Sequence, residues 1–254
     1  MTCVGMEWYE RIEKETLDGS SVPELADRLH GILRDTVRGI GAAELAFSGG
    51  VDSSFLLFLS GGSLSPVNVS APNTHDRVAS LASARALNYG LRHIEVSEED
   101  VRRAREALRS IDPQIPREDM GFEIVLLLVV QRCEGDTVVC GQGSDELFYG
   151  YHKFRVREPD NRDSLRKLQD SVLPREVKMA RMFGKELVTP YLNTEVVEIA
   201  NSIPKWIHLY AGVEKAFLRY TAIRSGLPME IALRGKKAAQ YGSGVQKILR
   251  KVNP

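Results

Sequence analysis

Glu44-Leu45-Ala46-Phe47-Ser48-Gly49-Gly50-Val51-Asp52-Ser53-Ser54 reads as a β-strand, a tight loop and the first turn of a helix in direct succession. The apolar run Leu45–Phe47 stops at a Ser-Gly-Gly turn, after which an acid and two hydroxyls open a second apolar run. Glycine lets the main chain approach a ligand closely. The first N–H groups of a helix lack intrahelical partners and attract anions. Ser48, Ser53 and Ser54 add hydroxyl donors to that loop. Asp52 beside a phosphate would be repulsive unless a cation lay between them, and hard carboxylate oxygen suits Mg²⁺. The stretch is not a Walker loop, since no lysine follows the glycines. The bland alternative is a glycine-containing strand-to-helix turn with an acid at the helix start.

Upstream, residues 1–40 form a helical lead-in of two helices. Ser21 caps the second, Pro23 sits in its first turn, and Leu25, Leu29, Ile32, Leu33 and Val37 recur at helical spacing up to Gly39 and Gly41. Downstream, strand and helix alternate. Strands are expected at Leu45–Phe47, Pro66–Ser70, His93–Val96 and Thr137–Cys140, and helices at Ser53–Leu59, His75–Tyr89, 98–109 and Gly121–Cys133. Ser97 with Asp100 forms a capping pair for the helix over 98–109. Such alternation implies an α/β fold: a parallel twisted sheet with right-handed crossovers and helices on both faces. Ligands of such sheets lie at the carboxyl ends of the strands, where both Ser48 and Gly141 fall. After Tyr151 the strand signals fade and five helices are expected, over Asn161–Val172, Pro174–Phe183, Thr194–Ser202, Val213–Ser225 and Ser243–Val252. The division is therefore an α/β core over 41–151 and a helical part over 152–254, which the resemblance given below implies to be the nucleotide-binding and acceptor-side parts.

The fourth expected strand runs into Cys140-Gly141-Gln142-Gly143-Ser144-Asp145-Glu146-Leu147-Phe148-Tyr149-Gly150-Tyr151. An acid at a helix start is often only a cap. With Asp52 on another strand end, a Mg²⁺ shared by Asp52 and Asp145 and completed by phosphate and water is the better reading. The Ser48–Ser54 run resembles the Ser-Gly-Gly-x-Asp-Ser signature of the PP-loop ATP pyrophosphatases. The second segment is similar to the Ser-Gly-Glu-Gly-Ala/Ser-Asp-Glu-Leu-Phe-Gly-Gly-Tyr segment of asparagine synthetases and β-lactam synthetases. Gly184-Lys185-Glu186-Leu187-Val188-Thr189-Pro190-Tyr191-Leu192-Asn193 is similar to that family's Glu-x-Arg-x-Pro-Phe-Leu-Asp. Lys215–Arg219, Gly226-Leu227-Pro228, Arg234 and Lys236 follow its late Lys-x-x-Leu-Arg, Leu-Pro and Arg-x-Lys order.

The resemblance implies an adenine nucleotide alpha hydrolase-like fold and ATP-dependent adenylylation of a carboxylate, with release of pyrophosphate and then amide formation. By position, Ser48, Gly49, Gly50, Asp52, Ser53 and Ser54 would hold the pyrophosphate, and Phe47, Val69, Cys140 and Gly141 would contact the adenosine. Asp52 and Asp145 would hold Mg²⁺. Glu186 would assist ammonia or orient the acceptor, and Lys236, with Lys237 as the alternative, would stabilise the adenylylation transition state. Aspartate, giving asparagine, is the leading acceptor. Three departures bear on the acceptor: Val188 replaces the family's arginine, Asn193 its aspartate, and Gln142 the glutamate between the glycines. The glutamine-dependent members carry a cysteine directly after the initiator methionine, where Thr2 stands here, and Cys3 is not placed to be that nucleophile. Free ammonia, a separate glutaminase subunit or another nucleophile is therefore expected. The alternatives are another amide-forming or cyclising AMP-forming ligase of the PP-loop kind, a tRNA- or base-modifying PP-loop enzyme, and a non-catalytic nucleotide-binding partner.

Composition narrows the field. Among 254 residues, 34 lysines and arginines balance 34 aspartates and glutamates, which argues against a general nucleic-acid or acidic-membrane surface. The three cysteines, Cys3, Cys133 and Cys140, form no Cys-x-x-Cys pair, so no disulfide framework, zinc site or iron–sulfur cluster is expected, and a reducing cytoplasm fits. No signal peptide is read at Met1–Glu10, and the apolar run Ile124–Val130 is too short to span a bilayer.

Overall fold

A computed structural model describes residues 7–157, 160–235 and 238–252. Helix α1 (Glu7–Ile12) leads into a small antiparallel hairpin of β1 (Thr16–Leu17) and β2 (Ser20–Ser21), which the sequence reading did not expect. Its turn is Asp18-Gly19, both at positive φ, the dipeptide that matches the twist of a two-residue hairpin. Helix α2 (Val22–Ile40) starts on a full capping box, in which Ser21 and Glu24 satisfy each other's backbone N–H.

Then comes the alternating core: β3 (Ala43–Ala46), α3 (Val51–Leu59), β4 (Leu64–Ser70), α4 (His75–Ala86), β5 (Arg92–Glu95), α5 (Glu98–Ile111), α6 (Arg117–Arg132), β6 (Thr137–Val139) and α7 (Ser144–Leu147). Helix α5 carries the expected capping pair of Ser97 and Asp100. The helical part comprises α8 (Lys153–Val156), α9 (Arg162–Lys167), a π-helical turn (Leu168–Val172), α10 (Leu173–Met182), α11 (Thr194–Ser202), α12 (Lys205–His208), α13 (Ala216–Arg224), α14 (Met229–Ala232), α15 (Ala239–Gly242) and α16 (Val245–Lys251). It is interrupted by β7 (Glu186–Val188), a strand that was not foreseen because three residues are too few to show a period.

Strands β3 to β7 form one sheet of order β5-β4-β3-β6-β7, with every neighbouring pair parallel. The chain winds outward from β3 through β4 to β5, then returns to the other side of β3 for β6. Where the winding reverses, the connections leave a crevice at the strands' carboxyl ends. Because Leu45 pairs with Val139, the loops that follow β3 and β6 sit side by side.

Successive residues of a strand face opposite sides. Val139 thus joins the core formed with α2, α3, α11 and α13, and its neighbour Val138 joins the one formed with α5, α6, α10 and α16. The sheet is covered on both faces, as its parallel pairing requires. Among the described residues no helix is long and apolar enough to cross a membrane. Truncating Leu127, fully buried in α6, to alanine is expected to destabilise the protein by about 2–5 kcal/mol in urea unfolding. The same change at Leu81, 41% exposed on α4, should cost no more than about 0.5 kcal/mol.

Candidate active site

The loop after β3 rests on the backbone of α4. Gly49 has φ +76°, and a Cβ there would lie 2.4 Å from the carbonyl carbon of Ala79. Both the dihedral and the lack of space demand glycine. Gly50 is extended and serves as the N-cap of α3, so the unpaired N–H groups of that helix open at the crevice. The Ser48 and Ser53 hydroxyls stand 3.4 Å apart beside them.

Asp52 is turned toward the end of β6. Its Oδ1 accepts from Ser144 Oγ at 2.9 Å and from Lys215 Nζ at 2.6 Å, and its main-chain carbonyl accepts from the buried Tyr191 hydroxyl at 2.9 Å. The same Lys215 ammonium lies 2.6 Å from Asp145 Oδ1. Two carboxylates from the ends of adjacent strands therefore converge on one buried cation. Glycines make the approach possible. A Cβ on Gly141 would press on Asp52 Cβ at 3.3 Å, and one on Gly150 would fall 2.1 Å from Asp145 Oδ1 and 2.2 Å from Lys215 Cε.

These groups wall a chamber of about 470 Å³. Of the residues foreseen, Phe47, Ser48, Asp52, Ser53, Val69, Cys140, Gly141 and Asp145 all line it. Gly49 and Gly50 form the loop behind that wall. Ser54 is fully buried in α3, and its hydroxyl has no hydrogen-bond partner among the described residues. Lys236 and Lys237 lie outside the described residues, although Ala238, Ala239 and Gln240, just beyond them, line the chamber. Burial pushes the Cys140 thiol up, so it is a packed wall and no nucleophile.

Glu186 is placed elsewhere. It is exposed, begins β7 and pairs with Thr137 at the start of β6, the end of the sheet opposite the crevice. Another carboxyl group that does line the chamber is Glu176, near the start of α10. It is 2% exposed, lines the chamber, and accepts from Gln142 Nε2 at 3.1 Å through Oε1. Burial first, then the nearby Glu123 and Glu146, push its carboxyl well above the usual range. No local pattern marked Glu176, which is the one acid of an ordinary amphipathic helix. Lys215 was visible only as a motif position, and nothing in the sequence announced its contacts.

Behind Glu176 lies a buried charged layer. Arg175 Nη2 donates to Asp119 Oδ2 at 3.0 Å, and its Nε is 2.9 Å from Glu123 Oε1. Lys167 reaches Asp119 from the surface side at 2.6 Å. Burial outweighs the Arg175 charge at Glu123 and lifts its carboxyl to about 7.

A parallel sheet whose switch point carries a Ser-Gly-Gly anion loop and two converging acids defines a nucleotide-binding domain of the PP-loop kind. The asparagine synthase family model matches residues 24–176 and 161–253, and the chain belongs to that family. A putative glutamine-hydrolysing asparagine synthetase 1 of Methanocaldococcus jannaschii is 30% identical over 97% of this chain, and 55% of that protein's length is covered. The glutamine-hydrolysing asparagine synthetase of Gallus gallus is 29% identical over 77% of the chain and 38% of its own. The human asparagine synthetase domain-containing protein 1 is 35% identical over 46% of the chain and 20% of its own length. The chain thus spans about half, or less, of the length of these relatives. Among solved structures, NMN synthetase from Francisella tularensis aligns over 90% of this chain and 84% of its own at 14% identity, with a TM-score of 0.46.

Two outcomes follow from the site's packing. Gly150→Ala should force Asp145 or Lys215 from its place and cost about 1–3 kcal/mol by overpacking, read as a lower thermal midpoint. Glu123 holds its proton in the folded chain up to about 7 but loses it near 4.5 when unfolded. Its contribution is therefore complete below that lower value and is lost as pH rises to about 7. Glu123→Gln should flatten the fall of stability across this window in thermal melts taken at a series of pH values.

Proposed function

We propose that this domain activates a carboxylate with ATP and converts it to an amide. The acceptor carboxylate attacks the α-phosphorus, the bond to the bridging oxygen of pyrophosphate breaks, and an amine then displaces AMP from the acyl-adenylate. Aspartate, giving asparagine, is the leading acceptor, with ammonia from solution or from a partner glutaminase as the nitrogen source. The observation that carries this reading is the convergence of Asp52 and Asp145 on one ammonium at 2.6 Å each. Two hard carboxylates aimed at a common cation suit a metal that takes its remaining ligands from phosphate and water. An all-protein metal cage is not what this reading needs, and the described residues contain no cluster of three or more His, Cys, Asp or Glu side chains able to form one.

Asp52 and Asp145 would hold Mg²⁺, which when bound would neutralise charge on the departing pyrophosphate. Ser48, Ser53 and the N–H groups at the start of α3 face the same anion, with Gly49 and Gly50 shaping the loop around it. Phe47, Val69, Cys140 and Gly141 offer the apolar and backbone surface for the adenosine. Lys236 is assigned the charge that builds on the α-phosphate. On the acceptor side, Glu176 is the group we assign to take the proton of the attacking amine, because it is a buried carboxyl group that lines the chamber beside Gln142. Gln142 orients it through their hydrogen bond.

The test is pyrophosphate release from ATP and Mg²⁺ with ammonia and a panel of carboxylates. Stimulation by aspartate is expected, and ADP plus phosphate as products would overturn the mechanism. Asp52→Asn should reduce pyrophosphate release by about 10²–10³-fold, on the scale of losing one preorganised charge-stabilising group. The variant should remain folded by circular dichroism.

A further inference from the structure

We propose that Arg234, together with Ser83, is a positioning residue that sets the direction of the Gly49–Gly50 peptide and ties the pyrophosphate loop to the segment that follows α14. This rests on the ligase reading above for the identity of the anion. Arg234 Nη1 lies 2.9 Å from the Gly49 carbonyl and 2.9 Å from the Ala79 carbonyl, and also bonds the Ser83 hydroxyl. Ser83 Oγ donates to the same Gly49 carbonyl at 2.9 Å. That oxygen is thus drawn toward α4 by two donors.

In a planar trans peptide the C=O and N–H point in opposite directions. Pulling the Gly49 carbonyl toward α4 turns the Gly50 N–H the other way. It faces Ser48 Oγ at 3.4 Å, on the chamber wall, where an anion would be held. A flipped peptide would present a carbonyl to that anion instead, and glycine at both positions leaves little intrinsic resistance to the flip.

Arg234 is itself held from behind. Its carbonyl accepts from Arg219 Nη1 at 3.2 Å, and Arg219 Nε donates to the Glu214 carbonyl at 2.8 Å. Arg219 lies one turn beyond Lys215, whose carbonyl accepts its N–H at 2.9 Å. One run of contacts therefore leads from the paired acids through α13 to Arg234 and on to the loop. All three of these Arg234 contacts, to Gly49, Ala79 and Ser83, are made through the single nitrogen Nη1, so one charged donor group serves both the loop and α4.

The test measures binding of pyrophosphate and of ATP, each with Mg²⁺, by calorimetry on the full chain, beside KM for ATP and for the acceptor. Arg234→Ala should weaken pyrophosphate and ATP binding by about 10- to 100-fold, the scale of losing a charge-assisted hydrogen bond. KM for the acceptor should stay within about two-fold, which generalised damage would not spare. Millimolar guanidinium should restore part of the lost affinity to Arg234→Ala. Ser83→Ala, the milder change, should shift the same constants in the same direction. Unchanged pyrophosphate affinity in both variants would overturn the proposal, as would equal losses for nucleotide and acceptor that track the thermal midpoint. A wild-type protein that binds both ligands yet activates no carboxylate would sink the ligase reading alone. One that binds neither would sink both.

Discussion

The ammonium of Lys215, shared between Asp52 and Asp145, is the interaction on which the rest of the site depends. Two carboxylates brought together at the end of a dry sheet repel each other unless a positive charge lies between them. Lys215 is 1% exposed and supplies that charge from the N-cap of α13, an element of the other half of the chain. Burying an ion pair is expensive, and removing one partner leaves an uncompensated charge. The core and the helical part are therefore joined by electrostatic need as well as by apolar contact. The backbone around the junction is correspondingly constrained. Lys215 and Tyr149 both sit at positive φ, at 55° and 59°, conformations that side chains other than glycine's adopt rarely and that collect near functional sites.

The chamber is built as two unlike halves. One half is made of loops and strand ends, where the main chain provides donors and glycines clear the way. The other is made of side chains on α6, α9 and α10, with Glu176 at its inner end and the Asp119–Arg175–Glu123 layer behind it. The π-helical turn at Leu168–Val172 contributes Leu168 and Val172 to that wall, and such turns recur at functional sites. Of the departures at Gln142, Val188 and Asn193, Gln142 alone lines the chamber among the described residues. Asn193 caps α11 by accepting from the N–H of Glu195, and donates to Thr36 Oγ1, so its first task here is structural.

How much of this was legible depends on the range of the interaction concerned. Signals that act within a few residues were readable: the capping boxes at Ser21 and Ser97, the strand-to-helix turn at Ser48–Ser54 and the second acid-bearing turn after β6. The alternation of strands and helices was enough to place both turns at strand ends. The Asp18-Gly19 hairpin signal was present but outweighed by the helical periodicity on either side. Strand β7 was invisible, because three residues become a strand only when a neighbouring edge supplies their hydrogen bonds.

By itself, then, the sequence determined that there is a parallel sheet with an anion loop, and that Asp52 and Asp145 stand at the ends of two strands. Those features rest on turn chemistry and periodicity, which are local. Only the tertiary structure decided that β3 and β6 are neighbours, that Lys215 lies between the two acids, and that Glu176 faces the chamber while Glu186 sits at the far end of the sheet. Strand order and helix docking bring together groups separated by many tens of residues in the chain, and no short stretch of sequence carries the free energy that selects one such arrangement over another.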